Sequence, residues 1–386
     1  MLAPLSNSPR DYAWGSTTLI ADLEGRVPSG APEAEVWFGD HPGSPARVED
    51  GRGLTLDAWL TAHGADAAAP GRLTFLLKLL AAASPLSIQV HPSKAEAAEG
   101  AAREDAAGVP ADAAHRNYKD DNHKPEVIVA VSERFEALAG LRDLAATRRL
   151  IAALGADPAL APLREKLAGD DALRRTIAWL LSGDAQPTVD AVIAALPDAA
   201  APEFAAELTA ARGIARAYPG DPGVVVALLM NYVSLARGEA IYVPAGVLHA
   251  YLSGLGVELM AASDNVLRGG LTPKHIDVEE LMGIVDPRPA APPRLTPREV
   301  AAGVEVFAPG IPDFELWRAS AAPGEERRIP LHGPAIALAV AGEVSVVGAS
   351  GASVALRPGR AAFATPDEHE LVVRGAGEVF IAQSGH

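Results

Sequence analysis

Two kinds of hydrophobic pattern alternate along the chain. From about residue 143 to 235, apolar residues recur every three or four positions with charges between them, as in DLAATRRLIAAL, DDALRRTIAWLL and PEFAAELTAARGIARAY. That period returns the apolar positions to one face of a helix and predicts a run of amphipathic helices. Asp precedes several of these segments and Gly or Pro follows most, which suits helix starts and stops. On either side the text changes to short apolar runs punctuated by Gly, Pro and Asp. Residues 35–39, 86–90 and 127–131 predict strands, 73–83 a helix, and the Ala- and Glu-rich 95–114 a helix broken at Gly108-Val109-Pro110. Strand-like text returns at Ala240 with AIYVPAGVLHAYLSGLGVELMAA, followed by a helix near 277–282. A Pro-rich stretch at 286–297 predicts a linker, and residues 335–347, 353–356 and 370–373 predict a second set of strands. The expected organisation is one β domain from 1–142 with 236–285, a helical insertion at 143–235, a linker at 286–297, and a further β domain at 298–386.

Composition narrows the function classes. A chain of 386 residues is long enough for two or three domains. The formal net charge of −16 argues against a nucleic-acid or anionic-membrane partner, although a local cationic pocket can still hold a small anion. Cys is absent, which removes disulfides, thiolate metal sites and a Cys nucleophile, and fits a reducing cytoplasm. The N-terminus has no basic start followed by an apolar run, so no signal peptide is expected. The apolar stretch 73–90 is interrupted by Lys78, Ser84 and Pro85, and 224–235 is too short, so no membrane span is expected.

Four segments carry chemistry-bearing residues. Gln89 and His91 are two apart in PLSIQVHP and share a face on a strand. Asn122-His123-Lys124-Pro125-Glu126 runs into the 127–131 strand, and Gly238-x5-Pro244-x-Gly246-x2-His249 opens the 240s. Ser263-Asp264-Asn265-x-x-Arg268-Gly269-Gly270-Leu271-Thr272-Pro273-Lys274 follows. The third pattern resembles the second box of the cupin superfamily, with Ser253 where Asn usually closes it; Gln89-x-His91 stands where the first box has His-x-His. Taken together, and with Tyr12-x-Trp14-Gly15, Glu35-x-Trp37-x-Gly39-x-His41-Pro42 and Phe135-Glu136-Ala137-Leu138, these segments resemble the type I mannose-6-phosphate isomerase family. The resemblance covers the first β region and its return after the helices. It implies a mainly β fold with a helical insertion, namely two cupin-type jelly-roll β-barrel domains plus an all-α domain.

The resemblance implies a metal held by Gln89, His91, Glu126 and His249, and interconversion of mannose 6-phosphate and fructose 6-phosphate through a cis-enediol. Two imidazoles, a carboxylate and an amide oxygen form an N2O2 donor set that suits one Zn²⁺ per chain; Mn²⁺, Co²⁺ and Fe²⁺ suit the same donors. The reaction requires a base that reaches C1 and C2 on one face. Glu258, nine residues after His249, is the preferred base if a hairpin at Ser253–Gly256 turns both side chains inward. Asp264, His123 and Lys124 are rivals; Asp264 and His123 are also expected among the substrate or phosphate contacts, and Lys124, two residues before Glu126, is placed to donate to a substrate oxygen. Arg268 and Lys274, in a Gly-rich loop, are expected to hold phosphate or enediolate charge, with Lys78 and the Ser87 hydroxyl completing the cradle. Lys78 alternatively reads as a side chain snorkelling from an apolar helix, and Lys274 as a solvated surface lysine. His41, His63, His115, His332, His369 and His386 lack such partners in the sequence.

Gly359-x6-Pro366-x-x-His369 echoes the His249 pattern at shifted spacing and predicts a degenerate second jelly roll used for packing or assembly, without a metal. The competing functions are an isomerase of another phosphorylated aldose, a cupin oxygenase and a non-catalytic sugar-binding protein. Oxygenase sites carry three His, or two His and a carboxylate with open positions, whereas Gln89 fills one here. No Gly-rich phosphate loop precedes a helix, which disfavours nucleotidyl transfer. The expected partner is a small sugar phosphate, with no nucleic acid or membrane, and the chain is expected to be a monomer or weak homo-oligomer in the cytoplasm.

Overall fold

The computed structural model describes residues 1–65, 69–169 and 171–385, so His386 lies outside the described residues. The strands of the first two-thirds of the chain are β1 (Leu2–Ser6), β2 (Glu35–Phe38), β3 (Arg47–Val48), β4 (Phe75–Ala82), β5 (Gln89–Val90), β6 (Glu126–Ala130), β7 (Arg134–Leu141), β8 (Met230–Ala236), β9 (Ala240–Val243), β10 (His249–Ala261) and β11 (Leu267–Arg268). All but β1 and β3 form one nine-stranded antiparallel sheet among the described residues, with β10 at its centre. The strands between Arg298 and Gln383 form a second antiparallel sheet, and β1 and β3 belong to that one. Leu2 to Leu5 pair with Ala364 to Ala361, and Leu5 and Ser6 pair with Val48 and Arg47 of β3, so the first strand lies between a C-terminal strand and β3 and outside the nine-stranded sheet. The two sheets share a core, in which Leu77, Leu79, Val127 and Val257 of the first pack with Leu316, Ile336, Phe363 and Phe380 of the second.

The segment expected as a helix at 73–83 is the strand β4, and every one of its eight residues is buried. A strand covered on both faces shows a continuous apolar run and not an alternation, so its period cannot be told from that of a buried helix. Lys78 therefore points from the middle of a covered strand into the protein and does not snorkel to solvent. Leu77 is fully buried on the other face, in the shared core. Leu77→Ala is expected to lower stability by about 2–5 kcal/mol in a urea titration. A loss below about 1 kcal/mol would contradict burial on both faces of β4.

The helical run extends from Leu144–Ala152 to Gly223–Leu229. Asp143 starts it, its side chain accepting a hydrogen bond from the Ala146 N–H at 2.9 Å. It ends six residues earlier than expected, because β8 begins at Met230 and pairs with β7. The apolar faces of these helices share one core with Ile88, Val90, Leu138 and Leu248, so they pack directly on the sheet that carries the four chemistry-bearing segments. The Pro-rich stretch at 286–297 is tied along β9: Tyr242 N–H donates to the Pro293 carbonyl and Leu295 N–H to the Ala240 carbonyl. At the C-terminal echo of the His249 pattern, His369 occupies a tight turn with φ of 54°.

Candidate active site and metal centre

Strand register assembles the site. His249 lies directly opposite Gln89, and Gln89 opposite Arg268, so these three side chains project from one face of the sheet. Further along β10, Glu258 lies opposite Lys78, and Met260 opposite Glu126. His249 and Glu258 are nine apart, an odd spacing that would put them on opposite faces of a regular strand. A bulge between Tyr251 and Ser253 inserts one residue and returns Glu258 to the face of His249. The hairpin expected at Ser253–Gly256 is thus a bulged, continuous strand. Gly254 follows the bulge at φ of 116°, where an added Cβ would lie 2.8 Å from the Arg134 carbonyl oxygen.

These residues surround a cavity of about 490 Å³. Of the residues singled out in the sequence, Lys78, Ser87, Gln89, Lys124, Glu126, His249, Glu258, Arg268 and Lys274 line it. His91 is fully buried behind Glu126. Asp264 and His123 do not line it. Asp264 pairs with His41 at 3.0 Å, and His123 pairs with Asp313 at 2.9 Å. His41 therefore has a partner that its sequence context did not reveal. Tyr12, Trp14, Glu35 and Tyr251 also line the cavity, as does Tyr218 from the helical run. The first three stand in motifs that resemble the family, but nothing in the text around Tyr218 marks it.

His91, Glu126 and His249 converge so that one ligand atom from each lies within 4.8 Å of the others. His91 Nδ1–H donates to the Asn265 carbonyl at 2.7 Å, and His249 Nδ1–H to the Val247 carbonyl at 3.2 Å. A carbonyl only accepts, so each Nδ1 carries a proton, and in a neutral ring the lone pair is then on Nε2. Burial, helped by the Lys124 charge, pushes the His91 pKa down to about 4 and keeps the ring neutral. Burial alone would raise the Glu126 carboxyl, but the Lys124 charge beside it holds it well below the usual carboxylate range. Both Nε2 atoms face the ionised carboxylate, at 3.1 Å for His91 and 3.4 Å for His249. His91 Nε2 is buried with no hydrogen-bond partner. Such an arrangement of acceptors is repulsive until a cation lies among them, so the residues fit a divalent metal. Gln89 adds an amide beside His249; its Nε2 donates to Ser87 Oγ at 3.3 Å, which leaves Oε1 free to accept or to ligate.

The rest of the cavity carries an unequal set of charges. Lys124 Nζ lies 2.7 Å from Glu126, and Lys78 Nζ lies 3.0 Å from Glu258 and 3.6 Å from Glu35. Burial works against the Lys78 charge, but Glu258 and Glu35 outweigh it and raise its pKa. Burial raises the Glu258 pKa against the pull of Lys78, and the charges of Glu126 and Glu35 add to that rise. Tyr251 donates to Glu126 at 3.0 Å, and burial next to these carboxylates keeps it a neutral phenol. Arg268 and Lys274 have no ion-pair partner among the described residues; burial lowers the Arg268 pKa, and the Arg268 charge, with burial, lowers that of Lys274. Two adjacent cations facing a cavity without a counter-ion form a receptor for an anion.

Fold and site together define an antiparallel β protein with a buried His–Glu–His metal group, a carboxylate–lysine pair and an anion receptor opening into one cavity. A sequence model of the family "Phosphomannose isomerase type I, catalytic domain" matches residues 2–144. The chain is 37% identical over 385 residues to the mannose-6-phosphate isomerase of Escherichia coli, covering 97% of each chain. It is 30% identical to the human mannose-6-phosphate isomerase, covering 88% of each. Among solved structures, a zinc-bound mannose 6-phosphate isomerase covers both chains fully at 36% identity and a TM-score of 0.89. A point mutant of phosphomannose isomerase from Salmonella typhimurium does so at 36% identity and a TM-score of 0.90. The chain belongs to the type I mannose-6-phosphate isomerase family.

Proposed function

We propose that the protein interconverts mannose 6-phosphate and fructose 6-phosphate with zinc as its cofactor. The observation that carries this is the convergence of His91, Glu126 and His249, with His91 Nε2 buried and unpartnered, beside a cavity that also holds a buried carboxylate and two cations without an ion-pair partner among the described residues. His91, Glu126 and His249, with Gln89 Oε1, hold the metal. Zinc bound there supplies a Lewis acid that stabilises negative charge on the substrate oxygens. Arg268 and Lys274 hold the phosphate, with the Ser87 hydroxyl on the same wall. In the open-chain sugar Glu258 takes the C2 proton; the C2–H electrons form the C1–C2 double bond, and the C1 carbonyl becomes the enediolate oxygen. The O2 proton then passes to O1, the O2 electrons form the C2 carbonyl, and the C1–C2 double-bond electrons take the proton back from Glu258 at C1, which leaves the C1 hydroxyl of the ketose and regenerates the Glu258 carboxylate. Lys78 fixes the Glu258 carboxylate from 3.0 Å, and Lys124 donates to a substrate oxygen as the ring opens.

His123 and Asp264 drop out as rivals for the base, because each faces a partner outside the cavity lining. The two sheets are read as paired cupin-type jelly-roll barrels around an all-α unit. The C-terminal strands serve packing or assembly. A monomer or weak homo-oligomer in the cytoplasm, without nucleic-acid or membrane partners, is in keeping with the charge. Among the described residues no helix is long and apolar enough to cross a membrane.

A panel of phosphorylated and free aldoses tests the substrate class. Mannose 6-phosphate should turn over, and free mannose should fail at equal concentration. Equal turnover of free mannose would refute the role of the two cations. Arg268→Ala should lower kcat/KM about 10–100-fold, with both parameters worse, because it removes charge-assisted hydrogen bonds felt before and during the reaction. An unchanged KM would move the phosphate elsewhere.

A further inference from the structure

We propose that Asp221, in the helical run, is a positioning residue for the anion receptor; the inference rests on the reading of Lys274 and Arg268 as phosphate ligands. Asp221 lies just before the helix Gly223–Leu229, fifty residues from the loop it holds. Its Oδ1 accepts hydrogen bonds from the Gly223 N–H at 2.7 Å and the Leu271 N–H at 3.0 Å. Its Oδ2 accepts from the Thr272 N–H at 3.2 Å. One carboxylate therefore binds the start of a helix to two successive amides of the loop that carries Lys274.

The loop needs such a hold. Leu271 has a φ of 56°, a left-handed conformation that a branched side chain rarely adopts and that persists only where its surroundings enforce it. Leu271 is buried, and Thr272, Pro273 and Lys274 beyond it line the cavity. The helix and the loop touch backbone to backbone. A Cβ added at Gly270 would lie 2.4 Å from the Gly223 Cα, and one added at Gly223 would lie 2.5 Å from the Leu271 nitrogen. Three residues before Asp221, Tyr218 lines the cavity and its hydroxyl donates to the Pro85 carbonyl at 2.8 Å, on the wall that carries Ser87. The same turn thus grips both loops that flank the anion receptor. Asp221 itself does not line the cavity, so it acts through the Leu271–Lys274 backbone, by setting where the Lys274 charge stands.

The test compares Asp221→Ala, Asp221→Asn and Lys274→Ala in the zinc-loaded full chain, with inorganic phosphate as a competitive inhibitor. Asp221→Ala should raise the KM for mannose 6-phosphate and the phosphate inhibition constant together, each about tenfold, because a displaced charge is lost to binding. Its kcat should stay within about threefold and its zinc content should not change. Asp221→Asn keeps the Oδ1 acceptor and loses the bond from Thr272, so an intermediate rise of about two- to fivefold is expected; this variant serves if the alanine form does not fold. In a Lys274→Ala background, Asp221→Asn should add little, since both changes remove one charge position. If Lys274→Ala weakens phosphate inhibition while both Asp221 variants alter only the melting temperature, the positioning role is overturned and the phosphate reading stands. If Lys274→Ala leaves phosphate inhibition unchanged, the phosphate reading fails and takes the inference with it.

Discussion

Glu258→Gln is expected to lower kcat by a factor of about 10²–10⁴ and to leave KM little changed. The substitution keeps the shape of the side chain and its place opposite Lys78 on β4 but removes the acceptor for the C2 proton. Solvent hydrogen exchange into the C1 and C2 positions of the sugar should fall in parallel, since the same group moves the proton in both directions. The variant also leaves the buried Lys78 with Glu35, at 3.6 Å, as its one ion-pair partner among the described residues. Weakening a buried pair destabilises the fold. Zinc content and the unfolding midpoint must therefore be measured with the kinetics, and the account requires that the rate fall in protein that is folded and fully loaded. If Glu258→Gln keeps near-normal exchange and turnover, the base lies elsewhere and Lys124 becomes the next substitution.

His249→Ala is expected to remove one of the imidazoles and, with it, most of the bound zinc and essentially all turnover. His249 is buried, its ring lies 5.0 Å from that of His91, and alanine offers no ligand atom in its place. Elemental analysis of the purified variant reads the metal directly and does not depend on the assay. Stoichiometric zinc in folded His249→Ala would contradict the donor set. Val247→Ala is the contrasting change: the carbonyl that orients His249 belongs to the backbone, so zinc should stay.

Much of the site was legible in the sequence because its groups come in short, local patterns. Gln89-x-His91 and Lys124-x-Glu126 place side chains two apart, as on one face of a strand, and with the Pro-x-Gly-x-x-His249 turn they carry the family resemblance that implied the metal ligands. What escaped depends on partners far along the chain. β4 was read as a helix because burial on both faces erased its alternation. The bulge that brings Glu258 round to the face of His249 left no mark in the text, and a hairpin was expected in its place. Asp264 and His123 stand in the right motifs, but His41 and Asp313, 223 and 190 residues away, engage them. Tyr218 and Asp221 sit in a run whose helical period announces scaffold. Their contacts to Pro85 and to Leu271 exist only once the helices pack on the sheet. The pairing of β1 with Ala361–Ala364 is the same kind of long-range choice, and it ties the first strand to the C-terminal sheet.

The most direct test of the central claim is a coupled assay for fructose 6-phosphate formed from mannose 6-phosphate by the purified protein. It should be run on the protein as isolated, after exhaustive chelation, and after zinc is added back. The account predicts turnover as isolated, none after chelation and recovery with zinc, because His91, Glu126 and His249 converge as ligands for a divalent cation. Undiminished fructose 6-phosphate formation by protein shown to be free of metal would contradict it.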